Sequence, residues 1–166
     1  MQEDFENGRL ATETFYLRNW VTKDAEWYVK SRDDLIFKWT TESPHLTVQE
    51  TIEAIKAVNE NPFVFSYAIA EFSSHQLLGN ISIVIDENNP NEGEVMYWLA
   101  KNGRGKNIAN QAVRLLSDLM VQSHQLTRIA LKTDAHNIAS QKVAIRAGFK
   151  QTSHSESKDI FCFTYP

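Results

Sequence analysis

The stretch Arg104-Gly105-Lys106-Asn107-Ile108-Ala109 constrains the fold of this chain more than any other. Before it, Glu94-Val95-Met96-Tyr97-Trp98-Leu99 reads as a buried strand. After it, Ile108, Ala109, Ala112, Val113, Leu116 and Met120 recur at helical spacing. A strand that reaches a helix through so short a turn places the first helical N–H groups, which have no intrahelical acceptor, beside the strand end. The helix macrodipole favours negative charge at that point. Gly105 lets an anionic group approach the backbone with no Cβ in the way. The N–H groups of Gly105, Lys106, Asn107, Ile108, Ala109 and Asn110 are therefore expected to cradle a phosphate. The turn lacks the Gly-Lys-Ser/Thr ending that holds phosphate and Mg²⁺ in a P-loop, so a nucleotide-hydrolysing reading fits poorly.

A second segment repeats the arrangement. Residues 128–133 read as a strand, and Asn137-Ile138-Ala139-Ser140-Gln141-Lys142-Val143-Ala144-Ile145-Arg146-Ala147-Gly148-Phe149 as cap, helix, glycine stop and the start of another strand. The Asn137 side chain is placed to accept from the first free amides. Gly148 falls where a left-handed glycine ends a helix.

Together the two segments resemble the Gcn5-related N-acetyltransferase (GNAT) superfamily, whose acetyl-CoA loop reads Arg/Gln-x-x-Gly-x-Gly/Ala and whose later helix reads Asn-x-x-Ser/Ala and ends in Gly-Phe. The resemblance runs from about Thr14 to Phe149. It looks closest to the branch that acetylates the N-termini of ribosomal proteins, through Leu17-Arg18, Asp24-Ala25, Leu78-Gly79-Asn80-Ile81 and Tyr97-Trp98-Leu99. It implies an α+β fold, with a mixed, mostly antiparallel central sheet and helices on both faces. It also implies an acetyl-CoA-dependent N-acetyltransferase that acts on a primary amine by direct attack in a ternary complex. The alternative is a CoA-binding module with little or no catalysis.

Composition agrees with this. The chain has 166 residues, 42% of them apolar, enough for one domain with a full core. Its net charge of −4, from 17 basic and 21 acidic residues, argues against a nucleic-acid-binding face. No run approaches the roughly 18 apolar residues of a membrane span. The acidic start, residues 1–6, lacks the apolar stretch of a signal peptide. The lone Cys162 has no internal partner and suits a reducing cytoplasm. The five histidines are scattered, and no Cys/His spacing suggests a metal site.

The remaining elements follow from periodicity and caps. Residues 14–20 read as a strand, and residues 24–31 as a helix with Thr22 as its cap. A second helix opens at Thr47 with Glu50 completing a capping box, buries Ile52, Ile55 and Val58, and ends at Asn61-Pro62. Phe63, Phe65, Tyr67 and Ile69 alternate as a strand does. Residues 77–85 follow, with Leu77, Ile81, Ile83 and Ile85 expected on one face. Residues 86–93 have turn chemistry. Residues 149–152 and 160–165 read as a closing strand pair.

Acetyl transfer needs a held donor, a base for the ammonium, donors for the oxyanion and a proton for the departing thiolate. The resemblance implies that the edge formed by Tyr97, Trp98 and Leu99 pairs with the pantetheine amides, because the strand at residues 128–133 splays away. It also places Arg104, Asn107 and Asn137 against the cofactor. Asn107 stands where the family carries glycine, and asparagine tolerates the left-handed conformation better than most residues. Glu94 matches the base glutamate of some relatives, and an apolar cleft would raise its pKa. Ser140 is the candidate proton donor, since the tyrosine many relatives place four residues on is Ala144 here. Trp39 is expected to line the acceptor site. The acidic hairpin Asp86, Glu87, Glu92 and Glu94 is expected to recruit a cationic amine, either a peptide N-terminus or a small amine. Oligomeric state stays open, with a homodimer among the options.

Overall fold

The ten residues Leu77–Asp86 carry no charge before the last, and all but two are buried. A strand with so little polar surface is stable only when both of its faces are covered. In the computed structural model, which describes residues 10–124 and 126–166, it lies inside an eight-stranded sheet. The elements are β1 (Leu10–Ala11), β2 (Phe15–Asn19), α1 (Ala25–Ser31), α2 (Asp34–Trp39), α3 (Val48–Glu60), β3 (Val64–Glu71), β4 (Leu77–Asp86), β5 (Asn89–Leu99), α4 (Ile108–His124), β6 (Arg128–Asp134), α5 (Ile138–Arg146), β7 (Lys150–Ser155) and β8 (Ile160–Tyr165). The acidic residues 1–6, on which the absence of a signal peptide was argued, lie outside the described residues. No helix among the described residues is long and apolar enough to cross a membrane.

The strand order is β1-β2-β3-β4-β5-β6-β8-β7, antiparallel throughout except for the parallel β5–β6 pair. The expected α+β architecture is therefore present. One face carries α4 and α5: Ile108, Ala112, Val113, Leu116 and Met120 pack on Ile69, Ile81, Ile83 and Val95. The other face carries α1 and α3 over Tyr16, Trp20, Ala68 and Ala70.

Several expectations are corrected. Leu77 sits in the second core, not with Ile81, Ile83 and Ile85, because the β3–β4 register shifts beside Ala70 and flips the side chains beyond it. Thr22 does not cap the first helix. It begins a 3-10 turn, Thr22–Asp24, and Asp24 Oδ2 accepts from the Val21 N–H (3.0 Å) while Arg18 donates to the same carboxylate (2.7 Å). β5 begins at Asn89, so the turn of the hairpin is confined to its tip, where Asp86 Oδ1 accepts from the Asn88 N–H (2.9 Å). β7 runs on to Ser155. Helix α2 has no counterpart in the sequence reading, since six residues are too few for a periodic signal.

The Thr47–Glu50 capping box forms on both sides, at 3.2 and 2.8 Å. Asn61 closes α3. Gly148 follows α5 at φ +91.

Candidate functional site

After β5, a 3-10 turn (Lys101–Gly103) leads into the loop before α4. Gly105 is left-handed at φ +73 and Asn107 at φ +60, as asparagine permits. A Cβ added to Gly105 would meet no atom within 4 Å, so the backbone there is open to approach. The N–H groups of Ile108, Ala109 and Asn110 open α4 and have no intrahelical acceptor.

The loop cations are engaged elsewhere. Arg104 donates to both oxygens of Asp33 at 2.8 Å and through Nε to the Leu99 carbonyl at 2.9 Å. That guanidinium holds the Asp33 carboxyl below the usual carboxylate range. Asp33 also caps α2 by accepting from the Ile36 N–H (3.2 Å). Lys106 lies 3.4 Å from Glu71. The Arg104 side chain thus ties the loop to α2, and both loop cations have carboxylate partners.

Beside the loop, the sheet opens. β5 and β6 pair only at Glu92–Arg128, Gly93–Ile129 and Glu94–Ala130, although both strands continue beyond. A wedge results, with its apex at Glu94 and Ala130. The Ala100 N–H donates to the Leu78 carbonyl (2.8 Å). By the alternation of an antiparallel ladder, the backbone groups of Met96 and Trp98 therefore face β4, and those of Tyr97 and Leu99 face the wedge. The expected edge is thus Tyr97 and Leu99. Trp98 is not part of it, and the Leu99 carbonyl already accepts from Arg104.

At the wedge, α5 starts on the β6 side. Asn137 caps it, accepting from the Ser140 N–H (3.1 Å). The Tyr97 hydroxyl reaches over from β5 and donates to Ser140 Oγ (3.2 Å). Burial pushes the Tyr97 phenol up to about 12, so it stays a donor at neutral pH. Ser140 therefore accepts from Tyr97 and keeps its own proton for another acceptor. The sequence reading used only the Tyr97 backbone. The alternation that puts Tyr97 on the α4–α5 face was visible, but its meeting with α5 was not.

Glu94 stands on the opposite face of the apex, in a groove of about 460 Å³ lined by Val84, Met96, Ala130, Lys132 and Cys162 among others. The surroundings are apolar in part, but a cation stands against the carboxylate. Lys132 Nζ donates to Glu94 at 2.5 Å, with side-chain exposures of 52% and 35%. The carboxylate in turn holds the Lys132 ammonium above the usual lysine range. Glu92 faces Arg128 at 3.7 Å. Two of the four hairpin acids are thus matched by cations of β6, a consequence of the parallel register. That weakens the expected attraction of a cationic amine. Among the described residues, no group of three potential ligands could hold a metal ion.

Further along the groove face, the Trp98 indole donates to Glu42 (3.3 Å) and lies parallel to Trp27, 6.1 Å away. Glu42 also accepts from Tyr28 (2.7 Å) and from the buried Arg32 (2.8 Å). This network pins the segment after α2 against the sheet. Trp39 ends α2 and stacks under the Lys38 ammonium (4.5 Å), part-exposed beside that segment.

Comparison with known proteins agrees with this geometry. The family model described as acetyltransferase (GNAT) domain matches residues 14–150. A relative, the N-acetyltransferase 9-like protein of Caenorhabditis briggsae, is 25% identical over 163 residues, covering 92% of this chain and 82% of its own length. Among solved structures, the ribosomal-protein-S5-alanine acetyltransferase of Vibrio fischeri superposes with a TM-score of 0.83 at 20% identity, covering 95% of each chain. The spermidine N-acetyltransferase of Vibrio cholerae, in complex with CoA and spermine, gives a TM-score of 0.81 at 15% identity, covering 93% of this chain and 96% of that one.

Proposed function

Because the chain belongs to the GNAT family of acetyltransferases, we propose that it moves the acetyl group of acetyl-CoA directly to a primary amine at the apex of the wedge. The carrying observation is the parting of β5 and β6 beyond Glu94 and Ala130, with Tyr97 on the open edge and the first turns of α4 and α5 beside it. The pyrophosphate is held by the N–H groups of residues 105–110, and the pantetheine arm pairs along Tyr97 and Leu99. The whole chain serves as a single catalytic domain in a reducing cytoplasm, where Cys162 stays a free thiol.

The two faces of the sheet divide the chemistry. The amine enters from the groove face, and Glu94 removes its proton, directly or through one water, once Lys132 has swung aside. The neutral nitrogen attacks the thioester carbonyl, the adduct gives up its second nitrogen proton to water, and the tetrahedral oxyanion collapses as the C–S bond breaks and the thiolate leaves. Ser140, on the other face and held by Tyr97, donates a hydrogen bond to the departing sulfur, which takes its proton from water. Thiols have pKa values near 8.5, so this last step is a modest aid at neutral pH.

A protein or peptide N-terminus is the first acceptor to test. The sequence likeness to the ribosomal-protein branch and the structural likeness to a ribosomal-protein acetyltransferase both support it. A small amine of the polyamine kind comes second, on the likeness to the spermidine enzyme. Release of free thiol from acetyl-CoA, screened against N-terminal peptides and small amines, tests the reading. Turnover with at least one amine is expected. Tight CoA binding with no thiol release from any acceptor would make the chain a binding module instead.

A further inference from the structure

Two buried side-chain hydroxyls have no hydrogen-bond partner among the described residues, Ser117 and Thr133. Ser117 lies within α4, where a serine always has the carbonyls of its own preceding turn near at hand. Thr133 has no such recourse, because strand carbonyls point along the sheet and not toward the side chains. It is only 6% exposed.

Its place in the wedge is defined by the register. Glu94 and Ala130 are the last paired residues. Tyr97 and Thr133 each lie three positions beyond that pair, on facing strands. Alternation puts Thr133 on the same face as Ile129 and Leu131, which belong to the core under α4 and α5, and Tyr97 packs against that core. Thr133 therefore flanks the wedge opposite Tyr97. A buried hydroxyl without a partner costs stability, and a ligand carbonyl is one way such a group becomes satisfied.

We propose that Thr133 is a donor-binding residue: its hydroxyl donates a hydrogen bond to a carbonyl oxygen of the acylated pantetheine arm lying along β5. The proposal rests on the wedge being the donor site. Two carbonyls have this chemistry, the thioester and the nearest amide of the arm, and CoA without its acetyl group tells them apart.

Calorimetry on three proteins tests it: wild type, Thr133→Val, which keeps the shape and removes the hydroxyl, and Thr133→Ser, which keeps the hydroxyl. Thr133→Val should weaken acetyl-CoA about two- to tenfold, the range for one neutral hydrogen bond, and Thr133→Ser should stay within about twofold of wild type. Adenosine 3′,5′-bisphosphate, which lacks the arm, should bind all three alike. An equal loss for CoA assigns the bond to the amide, and a loss confined to acetyl-CoA assigns it to the thioester. Without ligand, Thr133→Val should melt at or above wild type, because a valine there leaves nothing unsatisfied. Unchanged acetyl-CoA affinity in Thr133→Val overturns the proposal. So do a Thr133→Ser protein as weak as the valine variant, an equal loss for the bisphosphate, or a lower melting temperature of the free Thr133→Val protein. Wild type that binds the bisphosphate but gains nothing from the arm would overturn the wedge as donor site, and this inference with it.

Discussion

If Glu94 is the base proposed above, replacing it by glutamine should separate catalysis from folding, because the two expected effects differ greatly in size. Glu94 and Lys132 are both substantially exposed, at 35% and 52%. Exposed ion pairs contribute about 0–1 kcal/mol. For a chain of this size, such a change moves the melting temperature by at most about 2–4 °C. Loss of a positioned general base lowers turnover by about 10²–10⁴-fold, or roughly 3–5 kcal/mol of transition-state stabilisation at about 1.4 kcal/mol per decade. Acetyl-CoA affinity should scarcely change, since Glu94 lies on the groove face and the edge formed by Tyr97 and Leu99 opens on the wedge. Lys132 provides an internal check. Its ammonium is held up first by the hydrogen bond to Glu94, so its pKa should fall in the glutamine protein, as NMR titration of the lysine would show. Thiol-release kinetics on the best amine, across about pH 6–9, are the assay. A Glu94→Gln protein within about twofold of wild type over that range would remove Glu94 from the mechanism, whatever happens to Lys132.

At Gly105 an alanine meets no neighbour, so Gly105→Ala costs only the left-handed backbone, about 1–2 kcal/mol. Gly105→Asp adds a charge against the phosphates and should bind acetyl-CoA at least about tenfold more weakly than the alanine variant; equal affinities by calorimetry would sink the phosphate site. Ser140→Ala should keep measurable turnover. Tyr97→Phe should lose about two- to tenfold, and the double variant should match Ser140→Ala in kcat, because Tyr97 acts through the serine; multiplying losses would refute that relay. The Arg104 hydrogen bond keeps Asp33 below its unfolded pKa, so this contribution to stability is complete above about pH 4 and is lost as pH falls through the folded value. Melting curves of wild type and Asp33→Asn should therefore differ most above about pH 4 and converge in acid; a constant gap would show that the tether does not titrate.

Local rules were enough for the elements that carry their own signal. The six apolar positions of α4, the capping box at Thr47, the Asn137 cap and the Gly148 stop depend on contacts within one turn, and each is in place. The left-handed Asn107 is of the same kind, since its side chain alone makes that conformation tolerable. The resemblance built on these features was enough to point to the sheet and the family. Tertiary structure decided everything that depends on which strand lies beside which. The parallel β5–β6 register sets Lys132 on Glu94 and Arg128 on Glu92, although 38 residues of chain separate the first pair. The same register brings Tyr97 to Ser140 and leaves Thr133 across from it. Arg104 reaches Asp33 over 71 positions and ties the loop to α2. A one-residue shift beside Ala70 sent Leu77 to the other core. Side-chain alternation can be read along a strand, but register is an energy shared between strands distant in sequence, and only the packed sheet sets it.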